Sequence, residues 1–99
     1  MRTDRQKNIL TDCMDIIALA GFMRNRKERV EMAQTLINEL CNYPFISAKM
    51  GDKVIWAYLK VDCARNVLRA YTCNYVPFHV AFASAKKDIE MAFSILTDK

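Results

Sequence analysis

Glycine is scarce in this sequence, which has only two glycines among its 99 residues. Phosphate-binding loops of the G-x-x-x-x-G-K or G-x-G-x-x-G type need several glycines close together, and neither motif occurs. Stretches rich in glycine and serine, internal repeats and low-complexity segments are also lacking. We therefore expect a single helical domain that spans residues 1–99.

Metal-binding and catalytic motifs are lacking as well. His79 is the only histidine, and the four cysteines, at positions 13, 41, 63 and 73, include no C-x-x-C pair. A structural zinc site takes about four ligands, usually paired at short spacing. The motifs G-x-S-x-G and H-E-x-x-H do not occur either. We expect no cofactor, no metal and no enzyme activity, and we expect the thiols to lie on or beside apolar helix stripes as small hydrophobic groups.

Long apolar runs are lacking too, since every run is far shorter than the ~18–20 residues that a membrane span requires. Asp12 and Asp15 interrupt the segment in which a signal peptide would have its apolar core. We therefore expect no membrane association, a cytoplasmic location and reduced thiols.

Apolar residues, in contrast, are abundant: they make up 53% of the chain, and the formal net charge is only +4. Disordered chains combine low hydrophobicity with high net charge, so this chain should fold. Its basic balance, with a pI of about 9.0, favours the approach of phosphate groups or acidic protein surfaces.

The spacing of the apolar residues predicts a mostly α-helical fold, a compact bundle of about four helices. In the first helix Ile9, Cys13 and Ile17 recur at intervals of four residues. Pro44 should end the second helix, and Pro77 suits the first position of the last one. The predicted helices cover residues of about 3–24, 27–42, 52–75 and 77–97.

The segment from 45 to 61 allows a second interpretation. Strands at 45–50 and 53–61, joined by a turn at Gly51-Asp52, would form a β-hairpin packed on helices, which gives an α+β fold. Asp52 is equally suited to the N-cap of a long third helix. The sequence leaves both interpretations open.

Basic residues are concentrated in the stretch GFMRNRKERVE, residues 21–31. Arg24 and Arg26 are predicted at the C-terminal end of the first helix, where cations complement the helix dipole, whereas Lys27 and Arg29 open the second helix, where they do not. Two further arginines are one turn apart on the predicted outward face of the third helix. The candidate basic patch, for an anion or a nucleic acid, consists of Arg24, Arg26, Lys27, Arg29, Arg65 and Arg69.

Aromatic residues are concentrated in the middle of the chain, in greater number than a domain of this size is expected to bury. Protein interfaces favour such residues. The candidate interface consists of Tyr43, Phe45, Trp56, Tyr58 and Tyr75. The sequence thus favours a non-catalytic protein–protein interaction module or regulator that self-associates, with a homodimer as the simplest form. The alternative is a nucleic-acid-binding regulator that uses the basic helix–helix corner.

Overall fold

The computed structural model describes residues 4–44 and 51–97, and these form four α-helices without a β-strand. The helices are α1 (Asp4–Ala20), α2 (Arg26–Cys41), α3 (Asp52–Thr72) and α4 (Phe78–Thr97). The predicted helical bundle is therefore confirmed. None of these helices has the length and apolar character that crossing a membrane requires.

The helices pack in the order in which they follow one another along the chain. α1 packs against α2, α2 against α3 and α3 against α4, and α4 also contacts α1. The molecule measures 42 × 22 × 19 Å along its principal axes, and a helix of 20 residues is about 30 Å long. The connections between successive helices consequently lie at the two ends of the long axis.

α3 and α4 are the pair with the most extensive contact, and both helices carry completely buried alanines. Ala57 and Ala64 on α3 and Ala81, Ala85 and Ala92 on α4 are completely buried. Side chains at the contact set the distance between two helix axes within a range of about 8–10 Å, and small ones allow the shorter values. The spacing of these alanines therefore favours a tightly packed α3–α4 pair.

The alternative β-hairpin is wrong, because residues 53–61, its second strand, lie within α3. Val54, Ala57 and Val61 are buried at spacings of three and four residues, which one face of a helix provides and an alternating strand does not. Residues 45–50, the first strand of that prediction, lie outside the described residues. Asp52 is the first residue of α3 rather than its N-cap, which is Gly51, with a φ of 94°.

The first helix ends at Ala20, four residues before the predicted end. The amides of Phe22 and Met23 donate to the carbonyls of Leu19 and Ala20, at 3.0 and 3.1 Å, and close a turn after the helix. This turn places Phe22 outside the helix, in the α1–α2 connection.

Asn25 fixes the start of α2. Its side-chain oxygen accepts from the Glu28 amide at 2.9 Å, and its side-chain nitrogen donates to the Glu28 carboxylate at 2.6 Å. Such a reciprocal pair satisfies an amide at the N-terminus of the helix. Arg26 is therefore the first residue of α2, and its predicted place at the end of the first helix is wrong.

The third helix ends at Thr72, three residues before the predicted end, because Asn74 adopts a left-handed conformation with a φ of 66°. The amide of Asn74 donates to the carbonyl of Tyr71 at 3.0 Å, and the amide of Tyr75 donates to that of Ala70 at 2.8 Å. Asparagine is among the few residues that end a helix in this way. The remaining boundaries, those of α2 and α4, differ from the predicted ones by one residue at most.

A candidate interaction surface with cations and exposed aromatic rings

Two arginines of α2 join the α1–α2 connection to the α3–α4 connection. The guanidinium carbon of Arg26 lies 5.1 Å from the ring centroid of Tyr71, and that of Arg29 lies 4.3 Å from the ring centroid of Phe78. Both are within the distance of a cation–π contact. The two connections therefore lie at the same end of the bundle.

The aromatic rings under these arginines form a cluster. The ring centroid of Tyr71 lies 5.8 Å from the ring centroids of both Phe78 and Phe82, and the centroids of the two phenylalanine rings are 4.5 Å apart. Tyr71 and Phe82 are buried, so the cluster belongs to the core and holds the start of α4 against the end of α3. Arg29 also donates from Nε to the carbonyl of Met23 at 3.2 Å, which attaches the α1–α2 connection to α2.

The same end of the bundle carries two aromatic rings that almost nothing covers. Phe22 is 79% exposed and Tyr75 is 82% exposed, the two highest values among the large hydrophobic residues described. Both follow directly on helix ends whose backbone hydrogen bonds fix their position. We call the surface formed by Phe22, Arg24, Arg26, Lys27 and Tyr75 the basic aromatic end.

The cations of the basic aromatic end have few electrostatic partners. Arg24 and Lys27 are exposed, and neither forms a hydrogen bond or an ion pair with any described residue. Residues 21–31 contain two carboxylates, and that of Glu28 is bonded to the side chain of Asn25. The four cations of this stretch therefore outnumber its carboxylates two to one.

The sequence predicts Arg65 on an outward face of the third helix, but its side chain is only 12% exposed. It bridges α2 and α3: Nη1 donates to the Leu40 carbonyl at 3.4 Å, and Nη2 donates to the Tyr58 hydroxyl at 3.3 Å and to the Asp62 carboxylate at 2.9 Å. Burial opposes its charge, but the bonds to Tyr58 and Asp62 outweigh this effect and raise the pKa of Arg65. Arg65 thus anchors the C-terminal end of α2.

The predicted basic patch is therefore divided. Arg24, Arg26 and Lys27 belong to the basic aromatic end and Arg29 lies next to it over Phe78, whereas Arg65 is part of the α2–α3 contact. Arg69 is exposed, but its Nη2 lies 3.8 Å from the thiol of Cys41, at the other end of α2. The corner of four cations is brought together, and the two arginines of α3 are separate from it.

The predicted aromatic interface is divided as well. Tyr43 is buried, with its ring 6.3 Å from that of the half-buried Tyr58, and burial raises the pKa of Tyr43 to about 12. Trp56 is 59% exposed near the start of α3, and Tyr75 lies beyond the end of that helix. At 1.5 Å per residue, α3 separates these two rings by more than about 20 Å. Phe45 lies outside the described residues.

Phe22 is not identified as a surface residue from the sequence, because the predicted first helix, over residues of about 3–24, includes it. Two signals were present: Gly21 directly before it, and the Asn25-x-x-Glu28 pattern that starts a helix three residues later. Together they indicate a connection between residues 21 and 25.

Of the four cysteines, which the sequence predicts to act as small hydrophobic groups, one is buried. Cys13 is buried in the core, and its burial, together with the nearby Glu39 and Asp12 carboxylates, raises the pKa of this thiol to about 12. The other three cysteines are exposed. No group of three or more His, Cys, Asp or Glu side chains within the described ranges is arranged to hold a metal ion.

Replacement of Arg65 by Met should lower the free energy of unfolding by about 1–3 kcal/mol, because it removes charged hydrogen bonds between α2 and α3. Arg69→Met is the matched control on the exposed side of the same helix, and its effect should stay within about 0.5 kcal/mol. Urea unfolding measures both. Equal losses for the two variants would contradict the anchoring role of Arg65.

Stability should fall at alkaline pH. The thiol of Cys13 has a pKa of about 12 in the folded chain and 9.0 as its ordinary value, so between these values the unfolded chain releases a proton that the folded chain keeps. The free energy of unfolding should therefore be constant up to about pH 8.5 and decrease above about pH 9. Cys13→Ala should move this onset towards pH 10.0, the ordinary pKa of Tyr43. If stability starts to fall at the same pH in Cys13→Ala as in the unmodified chain, the assignment of this decrease to the Cys13 thiol is contradicted.

The chain was also compared with known proteins. No protein-family model, curated protein or solved structure matches it. The contacts, charges and exposure of its own side chains are therefore the basis on which a function can be assigned.

Proposed function

We propose that this protein is a non-catalytic binding module whose working surface is the basic aromatic end and whose partner is negatively charged. The observation that carries the proposal is the exposure of Phe22 and Tyr75, the two most exposed aromatic residues among those described, at the end of the bundle where Arg24 and Lys27 form no hydrogen bond or ion pair with a described residue. Aromatic residues and arginine supply a large share of the binding energy in known interfaces.

The charge of this surface supports an anionic partner. No carboxylate of the described residues pairs with Arg24 or Lys27, so their field extends into solvent and attracts anions. Charge complementarity of this kind speeds association and selects against partners of the wrong charge.

The fixed geometry of this end supports binding further. The Asn25–Glu28 pair fixes the start of α2, and Asn74 fixes the end of α3, so the backbone on both sides of the surface is held by hydrogen bonds. Arg26 is also held against the Tyr71 ring. Side chains that are already in place lose less conformational entropy when a partner binds.

Self-association is a second candidate function, and it uses a different surface. Trp56 and Leu59 are 59% and 44% exposed, and their spacing of three residues places them one turn apart on the same face of α3. The pairing of this face with its copy in a homodimer would cover both side chains.

A cytoplasmic location is part of the proposal. Cys41, Cys63 and Cys73 are exposed, and all four cysteines are free thiols. Exposed free thiols persist in reducing compartments and tend to be oxidised outside the cell.

Removal of the unpaired cations should weaken binding to anions. The double variant R24Q/K27Q should elute from a heparin column at lower salt than K86Q/K87Q, which removes the same charge from exposed positions on α4. Elution of both variants at the same salt concentration would mean that net charge alone governs retention, and it would overturn the proposed surface.

Self-association through α3 is tested separately. Sedimentation velocity at high protein concentration should show a dimer for the unmodified chain and a monomer for W56S/L59S. Val80→Ser, at an apolar position of similar exposure on α4, should leave the dimer intact. A strictly monomeric unmodified chain would remove the second candidate.

A further inference from the structure

On the basis of this proposed function, we propose that the anionic partner at the basic aromatic end is single-stranded nucleic acid. Its bases stack on Phe22 and Tyr75, and its phosphates pair with Arg24, Arg26 and Lys27. Proteins that bind single strands combine cations that follow the phosphates with aromatic side chains on which bases stack.

The two exposed rings provide the stacking surfaces. Phe22 lies in the turn after α1, Tyr75 lies in the turn after α3, and the backbone amide of each donates to a carbonyl of the preceding helix. Their exposure of 79% and 82% leaves the ring faces open to solvent. Base stacking on such a ring tolerates every base, because every base has a π-face.

The three cations lie at the same end of the bundle as these rings. Arg24 is two residues from Phe22, and Lys27 lies in the first turn of α2. Arg26 connects this group to the end of α3, because its guanidinium covers the Tyr71 ring four residues before Tyr75. Both rings and the three cations are therefore available to one strand that binds at this end of the bundle.

The size of this surface suits a short strand. The two shorter dimensions of the molecule are 22 and 19 Å. Nucleotides stacked at about 3.4 Å each would place roughly six across 22 Å. The end also presents two turns rather than a projecting helix, which is the usual element that enters the major groove of a duplex.

The experiment uses the full chain and fluorescence anisotropy at low salt, with three probes of equal charge. These are oligothymidylate of about 12 nucleotides, an abasic oligonucleotide of the same length, and oligoglutamate. The abasic strand keeps the phosphates and lacks the bases, so it separates stacking from charge. Oligoglutamate represents an acidic protein segment.

We expect oligothymidylate to bind at least about tenfold more tightly than the abasic strand, since two stacked bases supply more than the 1.4 kcal/mol that a tenfold change requires. The variant F22L/Y75L keeps apolar side chains and removes both rings, and it should abolish this difference. Trp56→Leu removes an exposed ring from α3 and should preserve the difference. Circular dichroism should show the same helix content for all variants, because the substituted rings are exposed.

The cations are tested on the same probes. R24Q/K27Q should weaken the binding of oligothymidylate. The slope of its log affinity against log salt concentration should fall by about two, which corresponds to one released counterion for each lost phosphate contact. K86Q/K87Q should leave that salt dependence unchanged.

Two outcomes would overturn the inference. Equal affinity for oligothymidylate and the abasic strand would exclude stacking, and tighter binding of oligoglutamate would favour an acidic protein partner. In both cases the proposed function stands if R24Q/K27Q weakens binding while K86Q/K87Q does not. If R24Q/K27Q and K86Q/K87Q bind every probe with the same affinity, the proposed function is overturned as well.

Discussion

The contacts between arginines and aromatic rings hold the second helix in the bundle. α2 has three buried residues, Ala33, Leu36 and Leu40, half as many as α1 or α3. Burial of so few apolar side chains provides limited hydrophobic stabilisation. Arg26 and Arg29 add contacts with the rings of the α3–α4 pair at one end of α2, and Arg65 adds hydrogen bonds at the other. Basic residues thus take part in the packing of this helix.

These contacts also create the candidate site. Because Arg26 and Arg29 reach Tyr71 and Phe78, the α1–α2 and α3–α4 connections meet at one end, and Phe22 and Tyr75 become part of the same surface. The guanidinium groups themselves lie over the rings of Tyr71 and Phe78. The packing of α2 and the candidate site therefore share this end, where the cations Arg24 and Lys27 form no hydrogen bond, ion pair or ring contact with described residues.

The number of helices and most of their residues could be predicted from the sequence, because apolar residues at spacings of three and four indicate a helix face. Between residues 53 and 61 the same residues also fit an alternating strand, and only the continuation of the stripe through Val61, Ala64 and Leu68 distinguishes the two. The helix ends depended on single side chains: Asn25 and Asn74 act through local hydrogen bonds that apolar periodicity does not register. The four neighbouring cations of residues 24–29 were predictable as a group, whereas the inward position of Arg65 depends on tertiary packing and the exposure of Phe22 depends on where α1 ends.

The most direct test of this account is a double-mutant cycle between Arg29 and Phe78, measured as free energies of unfolding in urea. Arg29→Met and Phe78→Leu each remove one partner of the contact and keep an apolar side chain in its place. If the guanidinium on the ring holds α2 against α4, the two effects should be coupled by about 0.5–2 kcal/mol. Effects that add within about 0.3 kcal/mol would show that the two side chains act independently, and they would contradict the claim that arginine–aromatic contacts hold the helix.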